Sequence, residues 1–391
     1  MTAGWVWRIR CSATPHQSRT DGSAADGGPL RGKTGGAKTE RGSACRFARK
    51  GEPCDTYMPM RYIGSKFSTI PELTKLITER VRGGTFCDCF GGVGTVGSHF
   101  KSLGFQVWTS DLLNFAYFFQ IARIRRQRRP ALRGVCAALR LRGSDDAFKA
   151  LISQKSSRGW FVEEYARKRR FFTEENACAI QGCWRTIRRW SNEGWLSADE
   201  HAVLTASLIN SMDRVANTAG TYYAYLKSWH RKALQSFRFE LIAPTPGLPN
   251  CECMHGPAQK MVEQRRFDVL YVDPPYNDRR YDGYYHLPET LAKGTTPRVN
   301  GMAGKPKAVS ERSTFNDARF ASTALKVLVE SARFRLLAFH YSDEGLIPRE
   351  SVRAILREHG VVEEFCLTSR GYTTENAPRS VPHRLYLVHH A

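Results

Sequence analysis

The sequence predicts an α/β fold: a doubly wound, mostly parallel sheet interrupted by a helical insert. Short apolar segments at 85–90 and 267–272 alternate with helical patterns, the order expected of βαβ units. Each of these two segments runs directly into a turn rich in glycine or proline, and ligands bind at such turns in open α/β sheets. Between them, residues 123–250 change to helical periodicity with many arginines and tryptophans.

The other elements of the sheet follow the same patterns. Ser68 or Thr69 can cap a helix with Pro71 in its first turn, and a second helix is predicted over 95–103. Strands are predicted at 105–109 and 334–339. The segments 361–367 and 384–388 are predicted to pair as a closing antiparallel hairpin.

Charge separates the segments of the chain. The 391 residues hold 59 Lys and Arg against 37 Asp and Glu, a formal net charge of +22. The 123–250 segment holds 23 basic and 11 acidic residues, a net +12. Such an excess favours a polyanionic partner, nucleic acid first, over a merely basic soluble protein. There is no run of about 18 apolar residues, as a membrane-spanning helix requires.

Residues 1–57 are rich in Gly, Ser and Arg, with 10 basic and 5 acidic residues and few periodic apolar positions. We expect a disordered or spurious basic extension, with the true start at Met58 or Met60. The 11 cysteines are scattered, which is typical of a reducing cytoplasm rather than of a disulfide scaffold. Cys251, Cys253 and His255 resemble metal ligands, but no second cysteine pair faces them, so we expect ordinary thiols and no metal.

The turn after the 85–90 strand reads Asp88-Cys89-Phe90-Gly91-Gly92-Val93-Gly94. Its glycines allow the backbone to pass close to a ligand. Asp111 follows the next strand, where an acid can accept both hydroxyls of a ribose. The turn differs from the phosphate-binding Gly-x-x-x-x-Gly-Lys-Ser/Thr loop. A nucleoside-containing cofactor is therefore favoured, with a tight structural turn as the alternative.

Asp273-Pro274-Pro275-Tyr276 directly follows the 267–272 strand. Two prolines fix φ and remove two N–H donors, which makes the turn stiff. A carboxylate, the Pro274 carbonyl and an aromatic ring are thereby held in one geometry. This trio suits a planar base with an exocyclic amine, because two oxygens can accept its N–H groups and the ring can stack on its face.

Phe90-x-Gly92-x-Gly94 and Asp273-Pro274-Pro275-Tyr276 resemble the signature motifs of S-adenosylmethionine-dependent N6-adenine DNA methyltransferases, in the motif order of their alpha group. The segment 61–66, Arg-Tyr-Ile-Gly-Ser-Lys, is similar to the amino-terminal cofactor motif. Segments 216–227 and 276–286 resemble a restriction–modification subset of that group. The resemblance covers roughly 58–391. Two positions depart from it: Ser65 replaces a glycine, and His340-Tyr341 stand where something like Ser-Tyr-Asn is expected.

The resemblance implies a seven-stranded, Rossmann-like methyltransferase fold. Its parts would be a first catalytic segment (58–129), a helical target-recognition insert (130–250) and a second catalytic segment (251–391). The implied reaction is methyl transfer from S-adenosylmethionine to adenine N6 in a specific sequence of double-stranded DNA, with base flipping. The implied setting is the bacterial cytoplasm, with a monomeric enzyme. It would be the modification half of a restriction–modification system with a separate endonuclease, or an orphan methylase.

Site residues follow from the same motifs. We expect catalysis from Asp273, Pro274, Pro275 and Tyr276. We expect cofactor binding by Tyr62, Lys66, Asp88, Phe90, Gly92, Gly94, Asp111 and Asp273. We expect DNA contacts from Arg125, Arg126, Arg128, Arg129, Asn217, Tyr222, Lys227 and Arg279. The arginines could instead form a solvated helix face, and Asn217, Tyr222 and Lys227 could be a packing motif. We expect structural rather than catalytic roles for His286 and His340.

Two other classes of function stay open at this level. The same chemistry could act on adenine in RNA, on cytosine N4 in DNA or on a protein amide, although Asn-Pro-Pro-Tyr or Ser-Pro-Pro-Tyr would favour the last two. A non-enzymatic DNA-binding protein with a decayed site is the third hypothesis. Intact motif residues argue against decay, namely Lys66, Gly92, Gly94, Asp111, Asp273 and Tyr276.

Overall fold

Apolar segments of the chain form a central sheet in the computed structural model, which describes residues 60–307, 312–370 and 380–389. The predicted extension 1–57 lies outside these residues. The strands are β1 Thr85–Asp88, β2 Gln106–Asp111, β3 Glu252–His255, β4 Arg266–Val272, β5 Val299–Asn300, β6 Lys305–Pro306, β7 Arg333–Ser342, β8 Val361–Arg370 and β9 Ser380–His389. β5 and β6 form a separate two-stranded ribbon.

The central sheet has seven strands in the order β3-β2-β1-β4-β7-β9-β8. The pairs from β3 to β7 are all parallel, and β9 is antiparallel to both β7 and β8. The seven-stranded, mostly parallel sheet and its closing antiparallel hairpin are thus confirmed. The carboxyl ends of β1, β2 and β4 meet at one edge, which is where ligands bind in this class of sheet.

The edge strand β3 lies in a segment whose residue pattern predicts a loop. Its four residues show no clear alternation of apolar and polar side chains, and only Cys253 among them is buried. Cys253 pairs with Thr109 of β2 in parallel register, and the Val107 N–H donates to Cys251 Sγ at 3.4 Å. Cys253 is therefore a buried residue of the edge strand, and the Cys251 thiol accepts a hydrogen bond from the neighbouring strand β2.

Helices connect the strands and fill the insert. The α-helices are α1 Ile70–Thr78, α2 Thr95–Ser102, α3 Asn114–Gln120, α4 Arg133–Ala138, α5 Ser144–Ile152, α6 Trp160–Val162, α7 Glu174–Asn192, α8 Ala198–Asp213, α9 Ala258–Val262, α10 Tyr281–Tyr284, α11 His286–Lys293, α12 Ala321–Ser331 and α13 Arg349–Arg357. Wider π-helical turns follow α3 at Ile121–Arg125 and α6 at Glu163–Arg167, and short 3₁₀ turns lie at Arg231–Leu234 and Thr314–Asn316. None of the helices described is long and apolar enough to cross a membrane.

Helices cover both faces of the sheet. On one face, buried side chains such as Leu270 and Leu337 pack with residues of α9, α12 and α13. On the other, the Phe86 ring of β1 stacks on Phe100 of α2 with centroids 4.0 Å apart. Burial of apolar area on each side stabilises the layers, at roughly 25 cal/mol per Å². The sheet is therefore doubly wound, as the sequence predicts.

The insert packs on the sheet domain through two long helices. Thr173 caps α7, and Ser197 caps α8 in a reciprocal capping box with Glu200. α8 contacts α3 and α11, so the insert shares buried surface with elements that flank the site. Several aromatic residues of the insert are core residues, including Phe161, Phe171, Phe172, Trp184 and Trp190. The described residues belong to one compact unit, Met58–Ala391, and the boundaries at 129/130 and 250/251 stay predictions.

Candidate active site

A cavity of about 680 Å³ lies at the carboxyl edge of the sheet. The turn after β1, the end of β2 and the loop after β4 converge on it because these strands are parallel neighbours. Its lining includes all but one of the predicted catalytic and cofactor residues: Tyr62, Lys66, Asp88, Phe90, Gly92, Asp111, Asp273, Pro274, Pro275 and Tyr276. Gly94 is the exception. It is the N-cap of α2, in the left-handed conformation, and it forms part of the turn without lining the cavity.

The glycine turn is closely packed under an aromatic ring. Gly92 has φ of 51° and Gly94 has φ of 76°, in the left-handed region that favours glycine. A Cβ at Gly92 would come within 2.8 Å of the Tyr62 ring. Tyr62 itself stacks on Tyr285, with centroids 5.0 Å apart. The turn and the 61–66 segment therefore form one wall of the cavity.

Asp111 closes that wall from the second strand. One carboxylate oxygen accepts the Gly92 N–H and the other accepts the Leu113 N–H, each at 2.9 Å. Burial raises the pKa of Asp111 to about 6, although these two hydrogen bonds lower it. The carboxylate thus holds the glycine turn and also faces the cavity, which suits it to a hydroxyl-bearing ligand.

An ion pair joins the first and last motifs of the site. Lys66 Nζ lies 2.7 Å from Asp273 Oδ2, and the lysine is only 4% exposed. Burial raises the pKa of Asp273, and the Lys66 charge lowers it. Asp88 is buried nearby, and burial, then the Asp273 charge, raise its pKa to about 7. Two buried carboxylates beside one lysine favour a ligand that carries positive charge.

The pKa of Asp88 predicts an effect on stability. The folded state holds its proton more tightly than the unfolded chain, whose pKa is near 4. The stabilisation from this group is therefore complete below pH 4 and is lost as the pH rises through about 7. We expect Asp88→Asn to flatten this pH dependence and to raise the free energy of unfolding at pH 8 by on the order of 1–3 kcal/mol.

Urea unfolding of the ligand-free protein at pH 5 and pH 8 checks this expectation. Asp278→Asn changes an exposed carboxylate and should leave the pH dependence as in the wild type. An Asp88→Asn protein that is less stable than the wild type at pH 8 would contradict the argument.

The loop after Asp273 is tied down beyond its two prolines. The Leu346 N–H donates to the Tyr276 carbonyl at 2.9 Å. The buried Asn316 amide donates to the carbonyls of Asn277 at 2.7 Å and Arg279 at 3.2 Å. Phe315, beside Asn316, meets Phe90 edge-on with centroids 5.3 Å apart. No sequence signal marks the 3₁₀ turn Thr314–Asn316, yet it connects the loop after Asp273 to the glycine turn.

Comparisons with known proteins identify the family of this chain. A profile of D12 class N6 adenine-specific DNA methyltransferases matches residues 62–355. This chain belongs to that family. It is 32% identical over 322 residues to the type II methyltransferase M.FokI of Planomicrobium okeanokoites, covering 80% of this chain and 49% of the relative. It is 26% identical to the modification methylase StsI of Streptococcus sanguinis, over 82% of this chain and 50% of that protein.

The length of the D12 relatives varies. The chain spans about half the length of M.FokI and of StsI. The type II methyltransferase M.NlaIII of Neisseria lactamica is 27% identical over 309 residues, which make up 77% of this chain and 89% of that protein. The matched region in this D12 chain contains the glycine turn, the insert and the Asp273 loop.

Two of the residues predicted to contact DNA are assigned to packing instead. Asn217 and Tyr222 are both 0% exposed. The Asn217 amide donates to the carbonyls of Arg170 and Leu226, each at 3.0 Å, and Tyr222 Oη donates to Asp213 at 3.1 Å. The prediction that these two side chains reach DNA is wrong for this conformation, because no surface of theirs is available to a partner.

The predicted basic residues differ in exposure. The Arg125 guanidinium donates to Asp199 at 3.0 Å and to the Cys253 carbonyl at 2.5 Å, so it joins α8 to the edge of the sheet. Arg126 is half-buried, with a guanidinium nitrogen 3.9 Å from Asp199. The others are exposed and stay predicted DNA contacts: Arg128, Arg129, Lys227 and Arg279.

Tyr223, next to the buried Tyr222, is an exposed aromatic residue that the motif reading missed. Its side chain is 53% exposed. The ring stacks on Tyr284 at 5.1 Å, and Lys305 Nζ lies 3.7 Å from its centroid. Tyr284 follows Arg280–Asp282, which line the cavity. An exposed aromatic ring with a cation beside it is suited to contact with nucleic acid.

We expect Tyr223→Ala to weaken DNA binding about tenfold, because stacking on a base contributes about 1–3 kcal/mol. Fluorescence anisotropy with labelled duplex DNA measures this change. Leu234→Ala is the control, since it removes another exposed side chain (64%) on the insert. Equal affinities of the two variants and the wild type would contradict the role of Tyr223.

Proposed function

We propose that the protein transfers a methyl group from S-adenosylmethionine to N6 of adenine in a specific sequence of double-stranded DNA. The observation that supports this most is the setting of Asp273. Its carboxylate lies at the carboxyl end of β4, in the same cavity as the glycine turn, with one oxygen held by Lys66 at 2.7 Å. The two prolines make this turn stiff, so a carboxyl group, a proline carbonyl and an aromatic ring are held together.

The residues of this loop can activate an aromatic amine. The N6 lone pair of adenine is delocalised into the ring, so the amine is a poor nucleophile. Lys66 engages Asp273 Oδ2, which leaves Oδ1 to accept one N–H of the base, and the Pro274 carbonyl accepts the other. These hydrogen bonds draw the nitrogen toward sp³ geometry and release its lone pair. Catalysis then depends on positioning and electrostatics, which are the largest contributions in many enzymes.

The cavity also fits the cofactor that the family resemblance implies. When bound, S-adenosylmethionine supplies an electrophilic methyl group on a positively charged sulfur. Asp111 would accept the ribose hydroxyls, and Tyr62 and Phe90 would contact its apolar parts. The buried carboxylates Asp88 and Asp273 favour a cationic ligand. The turn held by Asp111 leaves no room for a side chain at Gly92, as a close backbone approach requires.

The base must leave the duplex to reach this loop, and Tyr276 would stack on it. The insert would hold the DNA: its exposed arginines contact phosphates, and a smaller number of side chains read base edges. The net charge of +12 over residues 123–250 supports this role. Tyr223 and Lys305, which contact each other, are further proposed DNA contacts.

We further propose that the protein is the modification half of a restriction–modification system, acts as a monomer in a bacterial cytoplasm and has a separate endonuclease partner. The names of StsI and M.FokI support the first point, since they are a modification methylase and a type II methyltransferase. Free cysteines throughout the described residues are consistent with a reducing compartment.

Two measurements test this function. The purified protein with labelled S-adenosylmethionine should modify duplex DNA, and digestion should release N6-methyladenine. Mapping methylated adenines in host DNA, with and without the gene, should then give one recognition sequence. Label found only in RNA, or as N4-methylcytosine, would refute the proposed substrate.

A further inference from the structure

Two buried histidines lie behind the loop that carries Tyr276. His340 of β7 is 0% exposed and His383 of β9 is 4% exposed. The two strands are antiparallel neighbours, with Ser342 opposite His383. His340 is two residues from Ser342, so both histidines lie diagonally on one face of the sheet. Their ring centroids are 5.3 Å apart and their planes cross at 81°.

These histidines connect the residues on either side of Asp273. Tyr271 Oη and His340 Nδ1 are 2.9 Å apart. The rings of His383 and Tyr276 meet edge-to-face, with centroids 5.5 Å apart and an interplanar angle of 89°. Tyr341 makes a second perpendicular contact with Tyr276, at 6.4 Å. Perpendicular ring pairs attract because a ring edge is positive and a ring face is negative. Two rings that stand perpendicular to Tyr276 therefore contact it.

Both imidazoles are neutral at physiological pH. Burial, and to a lesser extent the Lys66 charge, lower the pKa of His383 to about 4, although Asp343 acts in the opposite direction. Burial also lowers the pKa of His340 well below its ordinary value, with smaller effects of Lys66 and His383. The contact with Tyr276 is thus made by an uncharged ring, which a phenyl ring can imitate.

The histidines act from outside the cavity. The described lining includes Tyr271, Asp273 and Tyr276 but neither histidine. A direct contact with the base or the cofactor is therefore not their role in this conformation. Their effect on the reaction would pass through Tyr276, the ring on which the flipped base is proposed to stack.

We propose that His383, supported by His340, is a positioning residue that fixes the ring plane of Tyr276 and thereby the orientation of the flipped adenine. This inference rests on the proposed function, since it needs a base stacked on Tyr276. A shift of about 1 Å at the reacting atoms can lower a rate on the order of 10²-fold. A change at His383 should therefore lower turnover with DNA without changing the affinity for the cofactor.

The test compares variants of the full chain. For each, kcat and KM for DNA are measured with labelled S-adenosylmethionine, and Kd for S-adenosylmethionine is measured without DNA. We expect His383→Ala to lower kcat/KM for DNA about tenfold or more and to keep Kd within about twofold. His383→Phe should restore kcat/KM to within about threefold of wild type, because it keeps the perpendicular ring.

Two further variants keep the test decisive. His383→Leu fills the volume without a ring and should behave like His383→Ala, which covers the case in which the alanine variant folds poorly. His99→Ala removes a half-buried histidine of α2 that contacts Thr74 at 2.7 Å and should leave both constants unchanged.

Several outcomes would overturn the inference. These are wild-type kcat/KM in His383→Leu, a His383→Phe variant as slow as His383→Leu, or a parallel loss of S-adenosylmethionine affinity, which would indicate a purely structural residue. A wild-type chain that transfers no methyl group to DNA would instead refute the proposed function. The two failures are therefore distinguishable.

Discussion

Asp273→Ala is expected to abolish methyl transfer while it largely preserves DNA binding. The variant removes the carboxylate that is proposed to accept an N–H of the base and leaves Lys66 buried without its 2.7 Å partner. Loss of one group that stabilises the transition state lowers kcat by roughly 10²–10³-fold. The loss here should be at least that large, because the same residue also orients Lys66. DNA binding should persist, since phosphate contacts by the insert supply most of the affinity.

Single-turnover transfer of labelled methyl groups measures the first effect, and anisotropy with labelled duplex DNA measures the second. Asp278→Ala is the matched control, because it removes an exposed carboxylate from the same loop and should leave both quantities unchanged. Asp273→Asn keeps a carbonyl oxygen without the charge. Its rate of methyl transfer should fall between those of Asp273→Ala and the wild type. An Asp273→Ala protein with substantial turnover would refute the role assigned to this carboxylate.

The fold could be predicted where local signals were strong. β1 and β4 lie in largely apolar segments that end in distinctive turns, and both formed as expected. β3 could not be predicted from its own residues, because four residues with one buried side chain carry almost no period. Its strand geometry comes from pairing with β2, an interaction between segments about 145 positions apart in sequence.

The residues of the site also divide into those that a sequence motif marks and those that only tertiary packing brings together. The motifs placed Lys66 and Asp273 in one cavity, since each follows a recognisable pattern. The Asn316 amide that ties down the Asp273 loop had no such pattern. Asn217 was predicted to contact DNA because it lies in the 216–227 segment that resembles the family, with a packing motif as the alternative. In the structure its amide satisfies backbone groups of distant segments, a role that only tertiary packing reveals.

Gly92→Ala is expected to weaken binding of S-adenosylmethionine by at least about tenfold, because it disturbs both segments that form one wall of the cavity. The position has φ of 51°, where an alanine is strained by about 1–2 kcal/mol. The new Cβ would lie 2.8 Å from the Tyr62 ring, and Tyr62 is fixed against Tyr285. Either the turn or the ring must move, and both line the cavity.

Equilibrium binding of S-adenosylmethionine and the thermal midpoint should be measured together. Gly83→Ala is the control, because a Cβ there meets no atom within 4 Å, and it should match the wild type in both. A lower midpoint with unchanged affinity would identify the turn as purely structural, the alternative that its sequence leaves open. A large loss of affinity with a midpoint lowered by only a few degrees would assign the turn to the cofactor, because strain alone acts on folding and not on a ligand that does not touch it.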